Sequence, residues 1–138
     1  MKRQFLVLLA LCLAACAAHA AVINIDNAEL ARLAASGVAV IDVRTAGEWK
    51  ESGVIAGSKL VTFFDAQGRS DPPQWLTKVK AFAKPDQPVA VVCHSGRRSA
   101  AVAQFLSEQA GYKTVYNVSR GMNGWTGDGR PVVAAPLR

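Results

Sequence analysis

Past its first twenty residues this chain of 138 lacks three things, and each absence narrows its function. No apolar run there approaches the ~20 residues needed to cross a bilayer, which argues against an integral membrane protein. No block of Lys or Arg occurs, nor basic residues interleaved with aromatics, which argues against a nucleic-acid partner. Only Cys93 remains of three cysteines, so no disulfide can form within that part of the chain. Apolar residues make up 51% and charged residues 19%, a composition that buries a core rather than staying disordered. The length suits one domain, and no internal repeat is visible.

The first twenty residues read as an address. Lys2 and Arg3 give a positive start, Phe5 to Ala15 form the apolar stretch, and Ala18-His19-Ala20 supplies the small-x-small pattern of a signal-peptidase site. Export is expected, in a bacterial style that points to the periplasm. Leu13-Ala14-Ala15-Cys16 also fits a lipoprotein signal, in which Cys16 becomes the acylated first residue. Cleavage after Ala20, leaving a mature domain over 21–138, is favoured over a lipid anchor at Cys16, and neither leaves a transmembrane segment. Losing Lys2 and Arg3 lowers the formal charge from +6 to about +4. Cys12 and Cys16 go with the signal or its acylation, so the domain keeps one thiol. In an oxidising compartment a lone thiol is a liability unless it works, the alternative being a buried Cys that acts as a small hydrophobe.

Strand and helix patterns alternate downstream. Short strands are expected over Val22 to Ile25, Val38 to Ile41, Lys59 to Phe63, Val89 to Val92 and Thr114 to Val118. The Val38 and Val89 runs are apolar throughout, as in strands buried on both faces. Asp26 or Asn27 caps a helix to about Ala35, Thr45 and Glu48 have capping-box spacing, and Trp75, Val79 and Phe82 mark an amphipathic helix after a Gly68 to Pro73 loop. A longer helix is expected from Ser99 to Gln109, and a last turn from Gly121 to Trp125. Alternation of this kind predicts a mostly parallel sheet of about five strands with helices on both faces.

Cys93 stands at the carboxyl end of the second apolar strand, followed by His94, Ser95, Gly96, Arg97 and Arg98 and then a helix. Ligands of open α/β sheets bind at that end. A loop turned at Gly96 can aim several N–H groups at the sulfur, and the helix N-terminus adds positive potential. Such a cradle lowers the thiol pKa and holds anions, with Arg97 and Arg98 supplying charge that does not titrate away. Cysteine-dependent phosphatases and arsenate reductases place Arg six positions after Cys. Position 99 here is Ser, so the six-residue loop is tighter and suits a sulfur atom carried on the Cys.

Cys93 to Ser99 resembles the persulfide loop of single-domain rhodaneses. Ile41-Asp42-Val43-Arg44 with Glu48-Trp49, and Tyr116-Asn117-Val118 with Gly121 to Trp125, resemble that family's flanking segments. The resemblance covers roughly residues 22–134 and implies a rhodanese-like α/β fold and sulfur transfer through a Cys93 persulfide. It implies no cofactor and no metal, an anionic donor such as thiosulfate, and a thiol or cyanide acceptor. His94, Ser95, Gly96, Arg97 and Arg98 would bind substrate, while Asp42 and Arg44 act as supports, with Arg44 expected to pair with Glu48. Two departures stand out: Gly53-Val54-Ile55-Ala56-Gly57-Ser58 lacks the family's His and Pro, and His94 sits where Arg is frequent. A non-catalytic module that binds a partner or carries sulfur is the alternative, and a phosphatase is disfavoured by the loop count.

Overall fold

The two wholly apolar runs become neighbouring strands at the middle of a sheet. In the computed structural model, which describes residues 20–136, β1 is Ile23–Ile25, β2 Ala39–Asp42, β3 Lys59–Leu60, β4 Val89–Val92 and β5 Val115–Val118. All pair in parallel, in the order β1-β5-β4-β2-β3. A central parallel strand must bury both faces, and β4 shows it residue by residue. Val89 and Val91 join one core with Val79 and Leu106, while Ala90 and Val92 join a second with Leu30, Leu33 and Trp125. The helices are α1 (Asn27–Ala35), α2 (Ala46–Ser52), α3 (Pro72–Lys80), α4 (Arg97–Glu108) and α5 (Gly121–Gly127). Among the described residues no helix is long and apolar enough to cross a membrane.

Capping chemistry sets the helix starts. The Asp26 carboxylate accepts from Glu29 N–H at 2.8 Å, and Thr45 and Glu48 form the expected reciprocal capping box. Two boundaries differ from the sequence reading. α3 starts at Pro72, inside the expected loop, because Asp71 caps it and proline is suited to a first turn that needs no N–H. Phe82 lies beyond its end. β3 holds only two paired residues; beyond Leu60 the Val61 and Phe63 N–H groups still reach the Asp42 and Val43 carbonyls, and Thr62 uses its hydroxyl on the Arg44 carbonyl.

Two features fix the end of the sheet where the site forms. Arg44, fully buried just after β2, binds the Asp42 carboxylate at 2.8 Å, the Ser52 hydroxyl at 2.7 Å and the Gly53 carbonyl at 2.8 Å. This ties the end of β2 to the end of α2, and an ion pair so buried needs all those partners to offset desolvation. The expected Arg44–Glu48 pair is not formed: Asp42, two residues away on the same buried edge, takes the guanidinium, and Glu48 turns to Arg98. The segment without the family's His and Pro is held by an antiparallel bridge from Val54 to Val133, with two 2.9 Å backbone hydrogen bonds. At the other end of the chain the Ala20 carbonyl accepts from the buried Ser107 hydroxyl. Most of the expected signal, with Cys12 and Cys16, lies outside the described residues.

Candidate active site

Cys93 follows β4 directly, and the chain from Cys93 to Arg98 curls back over its own sulfur. The curl requires Gly96, whose φ is +96° and whose Cα lies so close to the Ser119 carbonyl that a side chain has no room. Gly96 N–H donates to the Cys93 sulfur at 3.1 Å. The carbonyls of Cys93 and His94 point the other way, accepting from the N–H groups of Met122 and Asn123 at 2.8 and 2.9 Å. Gly121, at φ +56°, permits this docking, since a Cβ there would stand 2.5 Å from the Cys93 carbonyl oxygen. α5 therefore absorbs the loop's acceptors and leaves its donors facing the sulfur. α4 begins at Arg97, two residues earlier than the sequence reading, and no side chain caps its N-terminus.

Cys93 is 1% exposed. Burial pushes the Cys93 thiol up, but hydrogen bonding by the Ser99 hydroxyl and by the N–H groups of Ser99, Gly96 and Ser95 outweighs it, so the pKa falls below that of a free cysteine. Ser99 lies 3.3 Å from the sulfur and donates its own proton to Asn117 Oδ1 at 2.7 Å. Asn117 Nδ2 donates in turn to Asn24 Oδ1 at 2.9 Å. A polar chain thus runs from the thiol through α4 and β5 to β1.

The two arginines differ. Arg98 grips Glu48 with both guanidinium arms, at 2.7 and 2.9 Å, and this hydrogen-bonded contact holds the Glu48 carboxyl down at about 2 against an ordinary 4.5. Arg97 is exposed and makes no ion pair among the described residues. Two hollows flank the loop. One of about 420 Å3 is lined by Phe64, Ser95, Arg97, Arg98 and Ala101, the other of about 260 Å3 by Arg44, Glu48, Glu51, Ser52 and His94. His94 and Ser95 are exposed at the mouth. Among the described residues no three His, Cys, Asp or Glu side chains converge as a metal site.

Cys93, His94, Ser95, Gly96, Arg97 and Arg98 therefore share one loop and helix start, while Asp42 and Arg44 sit beneath as a buried support. Sequence reasoning placed Ser99 at the helix start, within the persulfide-loop resemblance and as the residue that breaks phosphatase spacing, but gave it no part in holding the sulfur. Asn24 and Asn117 were missed as partners, because 93 residues separate them and only the parallel β1–β5 register, Asn24 opposite Asn117, joins them. Phe64 was missed as well, an aromatic outside any motif.

The Rhodanese-like domain family matches residues 26–128. Thiosulfate sulfurtransferase 18 of Arabidopsis thaliana is 31% identical over 115 residues, 80% of this chain and 83% of that protein. A thiosulfate sulfurtransferase, GlpE, of Actinobacillus pleuropneumoniae is 44% identical over 50 residues, 36% of this chain and 45% of its own length. Among solved structures, a rhodanese-related protein from Thermoplasma volcanium superposes with a TM-score of 0.62 at 31% identity, over 82% of this chain and 99% of that one. A match running from the cap of α1 to the end of α5, on a shared parallel sheet, makes this chain a member of the rhodanese family.

Proposed function

We propose that the chain is a sulfurtransferase that takes sulfane sulfur from an anionic donor such as thiosulfate and passes it to a thiol or cyanide. The observation that carries this reading is the Cys93 sulfur, which receives Gly96 N–H at 3.1 Å, has the Ser95 and Ser99 N–H groups beside it, and belongs to a thiol more acidic than usual. The Cys93 thiolate attacks the outer sulfur of thiosulfate. A sulfur–sulfur bond forms to Cys93, the bond to the sulfonyl sulfur breaks, and sulfite leaves with that electron pair. The persulfide left behind is itself an anion, so the same N–H groups and the start of α4 stabilise it. Cyanide or a thiolate then attacks the terminal sulfur, and the Cys93 thiolate departs with the bonding pair. Arg97 draws the dianion to the mouth, while Arg98, committed to Glu48, braces the loop.

Mass spectrometry after thiosulfate treatment tests this. The Cys93 peptide should gain ~32 Da and lose it on adding cyanide, with thiocyanate appearing. Cys93→Ser should gain nothing and turn nothing over, because a hydroxyl neither ionises at neutral pH nor holds a second sulfur. An unmodified wild-type peptide would favour the non-catalytic module, and turnover in the Ser variant would remove the persulfide from the reaction.

A further inference from the structure

We infer that Asn117 is a positioning residue that sets the acidity of Cys93 by competing with its sulfur for the single proton of Ser99. This deepens the sulfurtransferase reading but is tested without sulfur transfer. Ser99 is fully buried, and Asn117 is 3% exposed. A hydroxyl has one proton to give. It points at Asn117 Oδ1, 2.7 Å away, while the thiol 3.3 Å away on the other side donates to the Ser99 oxygen. The carboxamide cannot turn round freely. Its Nδ2 faces the Gly96 carbonyl at 3.5 Å, an atom that only accepts, and is held by Asn24 Oδ1 at 2.9 Å. Oδ1 is therefore kept toward Ser99.

When Cys93 ionises it loses its donor role and becomes an acceptor, and the Ser99 hydroxyl must swing its proton from Asn117 to the sulfur. The amide oxygen is then left buried without that partner, a cost charged to the thiolate alone. The loop thus holds a thiolate whose stabilisation is trimmed by an amide four positions before Gly121. A sulfur that is too well stabilised is a poorer nucleophile, so the competition keeps the thiolate reactive. The charged groups around the sulfur supply a fixed background on which this competition acts, Arg98 lying within Coulombic reach of Cys93. On α4, Arg97 is exposed and Arg98 is paired with Glu48 of α2; Arg44 is paired with Asp42 at the end of β2; Arg120, before α5, contacts Asp128; His94 points to solvent.

The rate of iodoacetamide alkylation of Cys93 against pH reads the thiol acidity directly. Asn117→Leu removes the competing acceptor, and its midpoint should fall by about half a unit to one unit. Ser99→Ala should raise the midpoint, and adding Asn117→Leu to it should change nothing more, because the competed proton is gone. A merely structural role for Asn117 would loosen the loop and move the midpoint up, or move it equally with and without Ser99, and either result overturns the proposal. Asn24 is exposed and its replacement should leave folding intact. Asn24→Ala relaxes the amide's hold and should lower the midpoint by a smaller amount, with Asn24→Asp restoring the wild-type value; an Ala variant with an unmoved midpoint also overturns it. A wild type that shows these shifts but forms no persulfide would refute the sulfur-transfer reading and leave this one standing.

Discussion

Arg97 and Arg98 are adjacent in the chain, yet the fold gives them separate duties, because successive helix positions face about 100° apart. Arg98 turns inward across α2 to Glu48, while Arg97 points to the solvent-filled hollow beside Phe64. An unpaired, exposed guanidinium attracts an incoming dianion but adds little once the donor is seated. Arg97→Ala should therefore raise the KM for thiosulfate by about threefold to tenfold and change kcat at saturating donor less than about twofold. Steady-state kinetics at fixed ionic strength measures both, and an unchanged KM would move donor capture to the backbone N–H groups. At this scale the sequence was legible wherever chemistry and spacing coincide in a short stretch, as from Cys93 to Arg98. It was not legible where a role depends on register. Nothing near Ser99 in the chain indicates Asn117, and nothing near Arg44 decides between Asp42 and Glu48 until β2 and α2 are placed.

The elements around the loop act as a clamp with two sides. From below, α5 takes the Cys93 and His94 carbonyls; from the side, α2 takes Arg98 through Glu48. The second side is pH-dependent in a direction that can be worked out. Because the Glu48 carboxyl is lowered to about 2 in the folded chain from an ordinary 4.5, the pair stabilises the fold fully above about pH 4.5. That contribution declines as the pH falls toward about 2, where Glu48 takes up a proton in the folded state too. Glu48→Gln should be less stable at neutral pH by about 1 kcal/mol, as expected of a partly exposed two-armed pair, and its disadvantage should vanish by about pH 2. Urea unfolding at stepped pH measures this, and curves that stay parallel across that window would assign the acid sensitivity to other carboxylates. α2 itself was readable from its capping box and β4 from its four apolar residues. α3 was readable from Trp75 and Val79 but its start was not, since Pro72 and Pro73 read as loop signals until Asp71 is seen to cap them. β3 was placed correctly at its start, but its end was over-read, because a short edge strand leaves little pattern to mark where pairing stops.

For the whole molecule we propose export, with a mature chain that begins at Ala21. The alternation of strand and helix along the sequence carried enough information for a parallel sheet of five strands, while the proposed signal in the first twenty residues fits both a cut after Ala20 and acylation at Cys16. Two costs weigh against each other. A cut after Ala20 removes the carbonyl that the Ser107 hydroxyl reaches, a loss of one hydrogen bond, about 1 kcal/mol, while β1, beginning three residues later at Ile23, keeps its pairing with β5. Acylation at Cys16 leaves only residues 17–22 between the lipid and β1, a reach of about 20 Å at full extension. Packing of Ala20 against Ser107 shortens the usable part to residues 17–19, about 10 Å, which would press on the headgroups the end of the sheet where β1 begins and α4 ends, opposite the Cys93 loop. One hydrogen bond is the smaller loss. The protein expressed with its leader in a bacterial host should therefore fractionate with soluble periplasmic contents, begin at Ala21 by N-terminal sequencing, and behave identically as Cys16→Ser. Wild type in the membrane fraction, with the Cys16→Ser protein released from it, would establish the lipid anchor and place sulfur transfer at the membrane surface.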